Sequence, residues 1–268
     1  MDLHLVSWNR PKMTELVINT IRRNTKPDSY SIHVFDNNSN RETKDMLYHY
    51  YDNGIINSLD EAILNHGLEY ARQALLEEHA TSDYFICVDN DCLPPPMVNS
   101  NMIAGGLDWV EQLVMLMTRY EDYAAISCRT QVMIGTGNIF EHTEKQDITD
   151  FPHPGGSLRI MRTDAVLQVG GWSKQSSGRG SEERYICGKL REANYKTGFA
   201  THIPTLHLFG TRGEHETDRW GYDKDMKPED SGHSDVWHPI LGSGDSFEEV
   251  EQYAGKELAE AYFGKTTI

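Results

Sequence analysis

The stretch Tyr84-Phe85-Ile86-Cys87-Val88-Asp89-Asn90-Asp91 decides the reading of this chain. Its apolar run has the length of a strand buried on both faces, and it ends directly in two carboxylates. Carboxylates pack poorly there, because each would have to be desolvated. Facing an open edge, the pair instead makes an oxygen-rich site for Mg2+ or Mn2+, ions that keep water and share ligands with phosphates. Alone, an Asp-x-Asp is equally an ordinary turn or helix cap, so the neighbouring sequence has to decide.

Upstream, Leu3 to Trp8 is a second short apolar run, and Pro11 sits where the first turn of a helix accepts proline. Met13, Leu16, Val17 and Ile21 then share one helical face. Ser31 to Phe35 reads as a strand ending at Asp36-Asn37-Asn38-Ser39, a cluster of turn formers. Leu68, Ala71 and Leu75 mark a second helix before the Tyr84 strand. A helix through Trp109, Leu113, Leu116, Met117 and Tyr120 precedes a strand over Tyr123 to Cys128. Such strand–helix–strand repeats predict an α/β fold: a mostly parallel, Rossmann-like sheet with helices on both faces. Ligands bind beyond the carboxyl ends of such strands. Ser7-Trp8-Asn9, Asp36-Asn37-Asn38 and Asp89-Asn90-Asp91 should therefore meet at one edge.

The second half is less regular. Residues 131–156 read as a long loop with four glycines and two prolines, followed by a strand at Ser157 to Arg162. A short helix from Asp164 stops at Gly170-Gly171, Ser173 to Gly180 reads as a mobile loop, and a helix spans about Ser181 to Ala193. Thr211 to Gly244 lacks periodicity, and Ser246-x-x-Glu249 is a capping-box signal for a last helix.

The chain has 268 residues, enough for one large domain or two modest ones. Its 25 basic and 41 acidic residues give a net charge of −16, which disfavours a nucleic-acid backbone or an anionic membrane as partner without excluding a local phosphate pocket. No run approaches the roughly 20 apolar residues of a membrane span, and the first residues do not resemble a signal peptide. Cys87, Cys92, Cys128 and Cys187 are scattered and read as buried free thiols in a reducing compartment. The expectation is a cytoplasmic protein of unspecified oligomeric state.

Six pieces then stand in a distinctive order: Val6-Ser7-Trp8-Asn9-Arg10-Pro11; Val34-Phe35-Asp36-Asn37-Asn38-Ser39; Asn65-x-Gly67 with Ala71-Arg72; Val88-Asp89-Asn90-Asp91; Gly155-Gly156-Ser157 with Gly170-Gly171-Trp172; and Ser181-Glu182-Glu183 running to Tyr195. Together they resemble GT-A-fold glycosyltransferases of the family 2 type, up to about Thr205-Leu206-His207. The resemblance implies a GT-A domain over 1–210, with a nucleotide-binding half at about 1–130 and an acceptor half at about 131–210. Residues 211–268 would form an irregular C-terminal extension. It implies a metal-dependent transferase that moves a sugar, a hexose by expectation, from a nucleoside diphosphate sugar to an acceptor hydroxyl, with inversion.

By the same resemblance, Asp91 is a metal ligand, Asp89 contacts metal or ribose, and His207 reaches the metal or diphosphate; a core histidine is the other reading of His207. Val6, Trp8, Asp36, Arg72, Asp89 and Asn90 would bind the nucleotide sugar. Gly155, Gly156, Trp172 and Arg179 would lie on the acceptor side, although Trp172 equally suits packing. Glu183 stands at the position of the general base with Glu182 beside it, where the family usually has Glu-Asp. The helix N-terminus is expected to keep both ionised. Three alternatives share the fold: a retaining transferase, a nucleotidyltransferase, whose Gly-rich N-terminal loop is missing here, and a non-catalytic carbohydrate-binding protein.

Overall fold

The computed structural model describes residues 1–95, 106–132, 146–155, 158–172 and 182–207. Gly156, Arg179, the expected loop at 173–180 and the expected helix from Ser246 lie outside these residues.

Four parallel strands form one side of a nine-stranded sheet: β1 (Asp2–Ser7), β2 (Ser31–Asp36), β3 (Ser58–Glu61) and β4 (Tyr84–Asp89), in the order β3-β2-β1-β4. Beyond β4 come β8 (Arg159–Arg162), β6 (Tyr123–Val132), β9 (Lys196–His207) and the two-residue β5 (Cys92–Leu93), while β7 (Ile148–Asp150) pairs with β9. β8 is antiparallel to both of its neighbours, whereas β6 and β9 run with the first four strands. The expected parallel character therefore holds for β1–β4, β6 and β9. The expected nucleotide and acceptor halves share this one sheet, since β8 lies between β4 and β6.

Side-chain alternation assigns the two faces. Leu3, Leu5, Ile32, Val34, Ile86 and Val88 pack in one cluster with residues of α1 (Pro11–Asn24), α2 (Arg41–Asp52) and α4 (Trp109–Arg119). On the other face, Val6 and Phe35 meet Ala71 and Leu75 of α3 (Leu68–His79). There too Phe85, Cys87 and Met161 pack with α5 (Thr163–Gln168) and α6 (Glu182–Glu192).

Several elements depart from the sequence reading. α2 escapes notice because only Thr43, Leu47 and Tyr50 of its residues are buried, a stripe too thin to show a period; its signal is Asn40, whose side chain accepts from the Thr43 amide. β3 carries a single aliphatic residue, Leu59, and lies at the sheet edge. β6 and β7 both enter the stretch expected to be a loop at 131–156.

The α3 face also holds an apolar-packed histidine. His4 is buried, stacks on Phe85 at 4.9 Å, and neither ring nitrogen has a hydrogen-bond partner. Burial pushes its pKa down from 6.5 to about 3. The unfolded chain then binds the extra proton below pH ~6.5, so stability is full above that value and falls as pH drops toward the folded pKa. At a pH of about 5, some 1.5 units below the unfolded value, the loss through His4 is on the order of 2 kcal/mol. Urea unfolding of His4→Phe, which keeps the stack, should show a correspondingly weaker loss between pH ~7.5 and ~5. An unchanged pH dependence in the variant would refute this.

Candidate active site

The strand register brings the polar clusters together. Val6 stands opposite both Phe35 and Asp89, and Ser7 stands opposite Asp36, so the carboxylates of β2 and β4 flank the end of β1. The loops beyond are laced to one another. The Asn9 amide donates to Ser39 Oγ (3.0 Å), the Asn40 amide to Asn9 Oδ1 (2.5 Å) and the Asn37 amide to the Ser7 carbonyl (2.9 Å). Asn9 and Asn38 adopt left-handed backbone at φ 47° and 63°, a conformation asparagine tolerates better than most residues.

Asp36 is fully buried. Its Oδ2 accepts from the Ser39 amide at 3.0 Å, with Lys44 Nζ 4.0 Å away, while Oδ1 has no hydrogen-bond partner. Burial pushes the carboxyl above its ordinary range, against the pull of the Ser39 bonds and Lys44. The Ser7 hydroxyl opposite is also buried and without a partner, a feature the sequence reading missed. Trp8 is half-buried just beyond β1, and Val6 packs in the interior.

Arg72, expected in the base pocket, is held against β1 and β4. It is 1% exposed and donates to the His4 and Val88 carbonyls and, at 2.5 Å, to Asp89 Oδ1. Alternation places Asp89 on the α3 face with Phe85 and Cys87, but Asp36 on the opposite face with Ile32 and Val34. On its own face Arg72 meets Asp89 and orients it.

Past the strand end, Asn90 Nδ2 donates to Thr14 Oγ1 at 3.1 Å, and Asp91 Oδ2 accepts from Arg10 Nη1 at 2.9 Å. Arg10 belongs to the first motif, yet sequence alone gave it no role. Asp89, Asp91 and Cys92 present ligand atoms within 4.8 Å of one another. Burial, and then Asp91, push the Cys92 thiol well up, so it stays protonated and the available donors are carboxylate oxygens. That set fits a hard divalent cation. The backbone of His207 pairs with Cys92, which brings β9 alongside Asp91.

A second buried arginine, also missed, organises the other half of the site. Arg159 stands opposite Cys87 on the α6 face, and its Nη2 donates to Glu182 Oε1 at 2.5 Å. Trp172 donates its indole N–H to the same oxygen at 2.8 Å, and its ring meets Phe85 edge-on. At 3% exposure Trp172 is packed in the interior, and its indole N–H holds Glu182. The Gly155 carbonyl accepts from Ser127 Oγ at 2.6 Å.

Glu183 is half-buried at the start of α6. Burial, and then the neighbouring Glu182, push its carboxyl above the ordinary value of 4.5; Asp89 adds to this and Arg159 opposes it. The helix N-terminus was expected to favour ionisation, but desolvation outweighs it.

Comparisons bear on this arrangement. The family model described as Glycosyl transferase family 2 matches residues 3–171. No curated protein matches. A mannosyltransferase, PcManGT, from Pyrobaculum calidifontis, solved with GDP-Man and Mn2+, is 18% identical with a TM-score of 0.63, covering 81% of this chain and 59% of its own. GalNAc-T7, solved with UDP, GalNAc and Mn2+, is 16% identical with a TM-score of 0.62, covering 78% and 43%. S. aureus TarS 1–349, solved with UDP, is 12% identical with a TM-score of 0.59, covering 78% and 60%. The chain thus spans about two fifths to three fifths of the length of these solved relatives, and the likeness is one of fold.

Proposed function

Because the chain belongs to glycosyl transferase family 2, we propose that it transfers a sugar from a nucleoside diphosphate sugar to an acceptor hydroxyl, inverting the anomeric carbon. The observation that carries this reading is geometric: Asp89 and Asp91 at the end of β4 present oxygens within 4.8 Å of one another at the edge where the loops after β1 and β2 also meet. A hydroxyl is a weak nucleophile until its proton is taken as the new bond forms. Glu183 is the proposed acceptor of that proton, and one direct displacement gives inversion.

Asp91 and Asp89, with His207 as a further proposed ligand, would hold Mn2+ or Mg2+. When bound, such an ion offsets the charge that grows on the departing diphosphate. Arg72 fixes the orientation of Asp89 beneath it, and Asn90 ties the same turn to α1. Asp36 and Ser7 offer the unpaired polar atoms for the base, and Trp8 a ring beside it. Gly155, Gly156 and Arg179 are proposed on the acceptor side. The solved relatives bound to GDP-Man, UDP and GalNAc support a hexosyl donor for this chain as well. Among the described residues no helix is long and apolar enough to cross a membrane.

The test is release of nucleoside diphosphate from a panel of uridine and guanosine diphosphate sugars with Mn2+ present. A carbohydrate-binding protein of the same fold releases none, and that result would remove the proposal. Asp36→Asn adds a donor facing the base where an acceptor is needed. Calorimetry should show nucleoside diphosphate affinity weakened by roughly tenfold, ~1.4 kcal/mol, with pyrophosphate binding unchanged. Equal affinity in the variant would place the base elsewhere.

A further inference from the structure

We propose that Arg159 and Trp172 are positioning residues: by gripping one oxygen of Glu182 they set the start of α6 and so aim Glu183 at the acceptor hydroxyl. The inference rests on the reading of Glu183 as base. Glu182 is the first residue of α6 and is 3% exposed, while Arg159 is fully buried. Both N–H donors converge on Oε1, Arg159 at 2.5 Å and Trp172 at 2.8 Å. The next residue of a helix is rotated by about 100°, so a fixed Glu182 dictates where Glu183 points.

The grip is anchored on two sides. Arg159 Nη1 also donates to the Pro154 carbonyl at 3.2 Å, beside Gly155. The Trp172 amide donates to Gln73 Oε1 at 2.7 Å. Gly171 makes that approach possible, because a Cβ there would fall 2.2 Å from the same oxygen, and its φ of +64° suits glycine. Gln73 follows Arg72 on α3, so one helix orients Asp89 through Arg72 and the start of α6 through Trp172. Stability alone does not account for this arrangement: a buried ion pair is commonly matched or bettered by apolar residues of similar volume. A fixed geometry between the two carboxylate sites does account for it.

Two variants of the full chain test this, assayed with Mn2+ and the donor that the panel identifies. Trp172→Phe keeps the ring against Phe85 and loses only the N–H. Arg159→Met with Glu182→Leu replaces the pair by apolar side chains. We expect kcat to fall about tenfold in the first and about a hundredfold in the second, the scale of an ångström-level misplacement. Donor KM and calorimetric Kd should stay at wild-type values in both, which a general loss of structure would not produce. Wild-type kcat in folded Trp172→Phe overturns the proposal even if the double variant does not fold. So does a raised KM at unchanged kcat. Glu183→Gln is measured alongside: full activity there refutes the base reading itself, whereas an inactive Glu183→Gln with normal positioning variants refutes only the present inference.

Discussion

Glu183→Gln should bind donor nearly normally yet transfer sugar some 10²–10⁴ times more slowly, the usual cost of losing a general base. Glutamine keeps the shape of the side chain and its place in α6 but cannot take the proton. The same substitution should raise the melting temperature. Burial and Glu182 push the Glu183 carboxyl above 4.5, so the folded state holds its proton more tightly than the unfolded chain does. Stability contributed by that proton is present below the unfolded pKa and is lost as pH rises through the folded one. Near neutral pH the charge is therefore a burden on the fold, and the variant relieves it. For the wild type, the acid limb of the rate profile should lie above the ordinary glutamate range, since the base must be deprotonated to act. Glu182→Gln should behave differently. It breaks a buried pair with Arg159, a loss on the order of 3–5 kcal/mol, and its first symptom is reduced stability. A Glu183→Gln variant that is both active and no more stable than wild type would refute this assignment.

That division of labour between adjacent glutamates was only partly legible in the sequence. The family resemblance pointed to Glu183, but nothing in the helix shows that Glu182 is buried against Arg159. The clue lies in the strand expected at Ser157 to Arg162, where Leu158 and Ile160 alternate with Arg159 and Met161. In this sheet both faces are covered, so the alternate residues Arg159 and Met161 are buried as well. An arginine on such a strand requires a carboxylate partner. The same alternation is legible in β2 and β4, where it sets Asp36 and Asp89 on opposite faces of the sheet. Long apolar runs such as Tyr84–Val88 read correctly because burial on both faces leaves few alternatives. α2 and β3 did not, because each is pinned by a few contacts at the margin of the sheet: Asn40 capping α2, and Asp36 pairing with Glu61 at the end of β3.

Asp91→Asn should abolish Mn2+-dependent donor binding while leaving the fold almost as stable as before, and Asp89→Asn should cost both. The two carboxylates differ in what holds them. Asp91 meets Arg10 at 2.9 Å, with side chains 19% and 17% exposed. Both partners keep some access to water, so losing one leaves no fully buried unpaired charge. Asp89 meets Arg72, whose side chain is fully buried and whose other bonds go to backbone carbonyls. Removing that carboxylate leaves a buried guanidinium short of its counter-charge, a penalty on the order of 3–5 kcal/mol. For metal binding the order reverses. Each carboxylate has an arginine, but Arg72 is locked to Asp89 and two backbone carbonyls, whereas Arg10 keeps some access to water and can yield Asp91 to a divalent cation. In Asp91→Asn that carboxylate is lost, and the Arg10 charge is left to repel the cation. Manganese titration by electron paramagnetic resonance, with and without nucleoside diphosphate, reads the binding, and thermal melts read the fold. If Asp91→Asn retains the manganese dependence of donor binding, the ion is held elsewhere. If Asp89→Asn melts with the wild type, Arg72 is not the buried dependent that its contacts describe.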